Sequence, residues 1–275
     1  VISGGKDKKI NHFTITNESF FLILLMYLCF MDNPLSLIAI DAGNTSVKIG
    51  VFINGNLNEV FRMPLNDLHQ WYSNHNSNLH LPVIISSVIH EAHHVFLKDL
   101  FTQALFIDQE TSMPFTNNYA SPKTVGMDRL SNAAAVSGKF SGEPKLVIDI
   151  GTCIKFDFID EKNVYHGGSI APGLRLRFNS LHQDTGRLPL LNATHEPISL
   201  IGNSTAESIL SGVQNGIQHE INGMIESYLT QYPDLTIFVT GGDHSYFDFD
   251  RKNVIFVDEN LTLKGIYAIY SFHAH

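Results

Sequence analysis

LIAIDAGNTSVKIGVFING (residues 37–55) and LVIDIGTCIKFDFIDEK (residues 146–162) read as one object written twice. Each opens with an apolar run of the length of a buried strand, meets Asp-x-Gly followed by a small hydroxyl or amide residue, and returns along a second strand to a turn. The two aspartates, Asp41 and Asp149, stand 108 residues apart. A single Asp-x-Gly is an ordinary turn, since both residues are turn formers. Two at equivalent places point to two β-hairpins carrying the same loop. That loop suits phosphate. Glycine lets the backbone approach closely, exposed amides and the hydroxyls of Thr45 and Thr152 bond phosphate oxygens, and Asp41 or Asp149 holds a cation or its waters. Two such hairpins facing each other would clamp a polyphosphate.

Outward from the hairpins, short β-rich apolar runs alternate with amphipathic stretches, the rhythm of an α/β protein. Strands are expected over residues 35–40, 47–53, 82–88, 146–150, 154–159 and 235–239. Helices are expected over 91–100, 128–138, 172–182, 204–229 and 261–272. Pro172 at a helix start and the Ser204, Glu207 spacing of a capping box support two of these boundaries. SGEP at residues 141–144 is the expected hinge between halves.

Two further segments carry chemistry. In GMDR (residues 126–129), Asp128 can orient and deprotonate an alcohol, and the two-pronged guanidinium of Arg129 can pair with a carboxylate. Lys48 and a metal ion can neutralise phosphates during phosphoryl transfer. HEAHH (residues 90–94) instead matches H-E-x-x-H, in which His90 and His94 would bind zinc beside the base Glu91, making a zinc hydrolase. That match has three fixed positions in a chain with 14 histidines and no evident third ligand, so a solvated helical face is preferred. Lys155 reads as a surface strand lysine.

The paired hairpins resemble those of the superfamily of acetate and sugar kinases, heat-shock chaperones and actin. VGMDR (125–129), GGSIAPGL (167–174), RLPLL (187–191), IGNSTAESILSG (201–212) and VTGGD (239–243) follow in the order and spacing of the type III pantothenate kinases, from about Leu35 to the C-terminus. The resemblance implies an α/β fold of two ribonuclease-H-like domains of the actin-like ATPase superfamily, residues 32–143 and 144–275, behind an extension over residues 1–31. It also implies ATP-dependent phosphorylation of pantothenate to 4'-phosphopantothenate, the first step of coenzyme A biosynthesis. By the same resemblance Asp41, Ala42, Gly43, Asn44, Thr45, Ser46, Val47 and Lys48 form the first ATP-binding loop, with Asp41 near Mg2+ and Lys48 near the transferred phosphate. Thr152 contacts ATP, Asp149 holds a monovalent cation, K+ or NH4+, and Gly241 and Gly242 lie near the nucleoside. Gly126, Met127, Asp128 and Arg129 bind pantothenate together with Tyr119 and Thr205, Asp128 serves as base, and the protein is a homodimer. Cys153 and Lys155 depart from the Ala and Thr frequent at their places. A nucleotide-binding regulatory accessory protein of the same fold is the other reading, against which Asp41, Asp128 and Asp149 stand intact.

Composition agrees with a folded enzyme. Of 275 residues 44% are hydrophobic, and 18 Lys and Arg against 27 Asp and Glu give a net charge of −9, which argues against nucleic acid as a partner. Two cysteines, Cys29 and Cys153, build neither a disulfide framework nor a cysteine zinc site and suit the cytoplasm. FFLILLMYLCF at residues 20–30 is too short to span a bilayer and lacks a following cleavage signal. Residues 1–30 are therefore expected to be dispensable, in preference to an anchor or exported segment.

Overall fold

The structure is a computed structural model that describes residues 35–43, 45–75, 80–89, 91–140, 142–249 and 255–274. The extension expected over residues 1–31 lies outside them. The first sheet holds β1 (Leu37–Ala42), β2 (Val47–Ile53), β3 (Asn56–Met63), β4 (Val83–Ser87) and β5 (Leu105–Ile107) in the order β3-β2-β1-β4-β5. A second sheet holds β7 (Lys145–Ile150), β8 (Cys153–Ile159), β9 (Val164–Pro172), β10 (Thr236–Thr240) and β11 (Ile255–Val257), with the short β6 (Thr116–Asn117) outside β9. Its order, β11-β10-β7-β8-β9-β6, is the first order repeated with one strand added. In both sheets the first two pairings of the hairpin run are antiparallel and the next two parallel.

β1 and β7 sit centrally and are covered on both faces, which is why their sequences run apolar without alternation. Asn54 and Gly55, both at positive φ, make the tight turn that sends β2 back as β3. Helix α1 (Leu68–Asn74) and α2 (Glu91–Leu100) bury Leu68, Trp71 and Leu97 on the outer face of the first sheet. On the outer face of the second, α4 (Leu174–Gln183), α5 (Thr205–Leu210) and α6 (Gly216–Gln231) bury Phe178, Ile209, Ile217, Ile221 and Ile225.

Between the sheets lie α3 (Met127–Ser137) and α7 (Leu261–Ala274). Ala133, Ala134 and Ala135 on α3 and Gly265 on α7 let the two helices approach so closely that a Cβ on Gly265 would collide with the Ser131 carbonyl. Each large apolar side chain buried in this middle layer contributes about 1.5–3 kcal/mol relative to exposure. Two elements cross the boundary placed at residues 143 and 144: β6 joins the second sheet, and α7 returns to pack on β1, β2 and β4.

Three expectations need correction. Pro172 closes β9 and does not open a helix; Gly173 is the cap of α4, with its N–H bonded to the Thr152 carbonyl at 3.0 Å. The helix expected over 204–229 is divided by a wide π turn at Ser211–Asn215, where Ser211 Oγ donates to the Leu200 carbonyl and Gln214 bonds both backbone groups of Thr194. β3, β5, β6, β9 and β11 and helix α1 add to the elements expected from the sequence. The capping box survives in altered form: Ser204 Oγ accepts from Glu207 N at 3.2 Å, while the Glu207 carboxylate accepts from Asn203 N.

Candidate active site

The strand registers set up the site. Across the first hairpin Asp41 faces Lys48, and across the second Asp149 faces Lys155. The two loops meet tip to tip, Thr45 Oγ1 lying 3.1 Å from Thr152 Oγ1. Beneath that contact opens a cleft of about 360 Å³, into which Asp41, Lys48, Asp128, Asp149, Lys155 and Gly241 converge. Gly43, Thr45, Ser46, Gly126, Arg129, Thr152 and Gly242 also line it. Asn44 lies outside the described residues. Ala42, Val47 and Met127 send their side chains into the core, so at these three positions only the backbone is available to a ligand.

Asp128 stands in the first turn of α3, where a carboxylate is favoured by the helix dipole. Its Oδ1 accepts from Arg129 N at 2.9 Å, and its Oδ2 meets Lys155 Nζ at 2.5 Å. The preceding Gly126 is required by space, because a Cβ there would collide with Asp128 Oδ1. Lys155 also pairs with Asp149 Oδ2 at 2.7 Å, and Asn132 Nδ2 approaches the same oxygen at 3.4 Å. Asn132 is held in turn by the Thr262 hydroxyl at 2.9 Å, which ties α7 to the site. Lys155 is thus no surface lysine: its side chain is 14% exposed between two carboxylates. Burial alone would lower its pKa, but Asp149 and Asp128 hold the ammonium well above the ordinary lysine value.

Asp41 feels the opposite balance. Loss of water around its carboxyl, then repulsion from Asp128 and Asp149, outweighs Lys48 and Lys155 and pushes its pKa up to about 7. A cation brought into the cleft would relieve that repulsion, and Asp41 is a carboxylate that could hold the divalent ion accompanying a nucleotide, or one of its waters. Burial lowers the Lys48 pKa, and its Nζ donates to the Glu259 carbonyl at 2.7 Å. Arg62 on β3 donates through Nε to Ser46 Oγ at 3.2 Å and lays its guanidinium beside Gly242. Gly241 sits at φ +96°, against the Ile150 backbone, where no side chain would fit.

Arg129 is held by partners of its own. It is 3% exposed, and its guanidinium is paired to Asp157 Oδ1 at 2.6 Å, an oxygen that also accepts from the Tyr165 hydroxyl at 2.7 Å. The Tyr119 ring lies 5.6 Å from it, seated over Gly167, whose missing Cβ makes room. Arg129 therefore braces the GMDR turn against β8 while it also lines the cleft. Thr205 is not brought into the cleft; it lines a separate groove of about 940 Å³ with Arg177, Leu181, Leu188 and Ile209. His90 of the zinc reading lies outside the described residues, His94 packs its ring 5.1 Å from that of Phe106, and among the described residues no three His, Cys, Asp or Glu gather as a metal site.

Asn132 had a legible signal, one helical turn beyond Asp128 on the same face. Lys155 had one too, in its place opposite Asp149. Arg62 and Thr262 had none, because β3 reads as polar and α7 joins the site only through the fold.

Two sheets of one strand order, with matched Asp-x-Gly hairpins closing on a cleft of aspartates and lysines, make a repeated α/β fold with a site suited to phosphoryl transfer. The family model of type III pantothenate kinase matches residues 37–227. A type III pantothenate kinase of Flavobacterium johnsoniae is 39% identical over 241 residues, 86% of this chain and 98% of its own. One of Bacteroides fragilis (strain YCH46) is 39% identical over 236 residues, 85% of this chain and 97% of its own. The chain belongs to the type III pantothenate kinase family. Among solved structures, a Campylobacter jejuni protein described as a Baf family transcriptional activator superposes with a TM-score of 0.56 at 22% identity, over 86% of this chain and 98% of its own, a likeness of fold.

Proposed function

We propose that the protein transfers the γ-phosphoryl group of ATP to a hydroxyl of pantothenate, giving 4'-phosphopantothenate and ADP, the first step of coenzyme A biosynthesis. The observation that carries the reading is the meeting of two like hairpins at Thr45 and Thr152 over a cleft that also holds Asp128, in a chain of this family. Phosphoryl transfer asks for charge neutralisation and an aligned alcohol more than for covalent help. Lys48 and the loop between β1 and β2 receive the phosphates, Thr152 contacts them from the second hairpin, and Gly241 and Gly242 leave room for the nucleoside. Magnesium bound with ATP supplies further neutralisation of phosphate charge, with Asp41 as the residue that holds it or its waters. As the hydroxyl oxygen attacks the γ-phosphorus, Asp128 takes the hydroxyl proton and the bond to the bridging oxygen breaks, releasing ADP. The Lys155 ammonium, in contact with Asp128 Oδ2, holds that carboxylate in place at the cleft.

Gly126, the Met127 backbone, Arg129 and Tyr119 form the pantothenate side of this reading. The homodimer belongs to it as well: Thr205 lies away from Asp128 within one chain, and its groove is flanked by the exposed Leu200 (74%) and Ile201 (84%), which suits burial against a second copy. A cytoplasmic location fits the cysteine usage, and among the described residues no helix is long and apolar enough to cross a membrane. The regulatory reading is less well supported, since a protein that only binds nucleotide has no use for a carboxylate held where an alcohol would be deprotonated. Purified protein with ATP, magnesium and pantothenate should yield phosphopantothenate. Folded protein that yields none under any salt would defeat the kinase reading.

A further inference from the structure

Lys155 is the cross-strand counterpart of Lys48, but it does something different. Lys48 faces Asp41 and donates a hydrogen bond to the Glu259 carbonyl; Lys155 faces Asp149 and reaches into the cleft to bridge two carboxylates, Asp149 at 2.7 Å and Asp128 at 2.5 Å. All three side chains are largely withdrawn from water, at 14%, 12% and 23% exposure. The oxygen of Asp149 that Lys155 takes is also the one Asn132 approaches. The resemblance puts an exchangeable monovalent cation at Asp149, and the residues present do not fit one. One of the two Asp149 carboxylate oxygens, Oδ2, is already engaged by Lys155 and Asn132, and a second unit positive charge beside the ammonium would be repelled strongly in a cleft that screens poorly. The ammonium also meets the chemical requirement. It carries the charge of potassium and the donor groups of ammonium ion, and of its three N–H bonds two are spent on carboxylates, leaving one by count for an incoming oxygen.

We propose that the Lys155 ammonium is this protein's own monovalent cation, covalently built into the second hairpin, and that turnover requires no potassium or ammonium salt. The proposal rests on the kinase reading for its activity measurement but not for its binding measurement. The full chain and its Lys155→Thr variant are assayed in potassium, ammonium, sodium and choline chloride at constant ionic strength, and thallous ion is used as a potassium probe in thallium-205 NMR. The unaltered protein should turn over within roughly twofold in all four salts and bind no thallous ion in competition with potassium, whereas Lys155→Thr should lose at least roughly tenfold in choline and recover in potassium or ammonium alone. The variant should also acquire a thallous site that potassium empties. Strong potassium activation of the unaltered protein, or thallous binding to it that potassium displaces, overturns the proposal. So does a folded Lys155→Thr equally slow in every salt, which would mean a lysine needed for some other reason. Absence of product from all samples would defeat the kinase reading alone, and the thallous measurement would still decide this one.

Discussion

At Asp128 the helix and the reaction ask for the same carboxylate. The dipole of α3 and the Lys155 ammonium stabilise its charge, and that charge accepts a proton in the proposed transfer. Asp128→Asn should therefore lose on the order of 10² or more in turnover while the variant still binds ATP, as steady-state rates and nucleotide titration would show. Near-normal turnover would remove Asp128 from the role of base. Asp41 makes a prediction about stability. Its carboxyl is raised from 3.8 to about 7, so the folded state holds a proton that the unfolded state has released across that window. By linkage, its contribution to stability falls as pH rises from about 4 to about 7. Asp41→Asn should accordingly melt higher than the unaltered protein above pH 7 without nucleotide, and no higher at pH 4, while binding magnesium-ATP worse. Equal melting at both pH values would mean that the crowding of Asp41 is relieved by other means. Arg129 and Asp157 form a pair with side chains 4% and 1% exposed, and removing one partner strands a buried charge. Asp157→Ala should cost about 3–5 kcal/mol in chemical denaturation; a loss below about 1 kcal/mol would place the pair in the surface class.

Among elements, the crossing of α3 and α7 is the joint on which the site depends, because α3 carries Asp128 and Asn132 while α7 carries Thr262. Gly265 permits that crossing against the Ser131 carbonyl, so Gly265→Val should destabilise by at least about 1–3 kcal/mol through overpacking and loosen the grip on Asn132. A variant as stable as the parent by thermal denaturation would show that the helices can part at no cost. The central strands β1, β2, β7 and β8 and helices α2, α3 and α7 were legible in the sequence, since apolar runs and helical periodicity mark elements buried on a whole face. The edge strands were not. β3 reads NLNEVFRM, largely exposed along its length, and its pairing with β2 is settled by backbone bonds and a turn, not by an apolar pattern. Pro172 misled for a related reason: proline at the end of a strand and proline at the start of a helix look alike until the Gly173 N–H is seen bonded to Thr152.

For the whole molecule, the proposed extension predicts that a chain beginning at Met31 remains soluble and at least as active, to be checked by expression and assay; failure to fold would assign residues 1–30 a structural part. What the sequence alone determined was the repeated hairpin, the family, and most of the residues that line the cleft. These are encoded locally, as a strand, a loop and a strand whose residue types are those phosphate chemistry needs. Only the tertiary structure decided how they are used. It turned Arg129 inward onto Asp157, carried Thr205 to another groove, and brought Arg62 and Thr262 to the site from elements whose sequences hold no sign of it. It also aimed Lys155 at two aspartates rather than at solvent. The reason is that a side chain's partners across two sheets and a shared helical layer depend on strand order and helix crossing. Those are set by burial summed over the whole chain, and no window of sequence contains that sum.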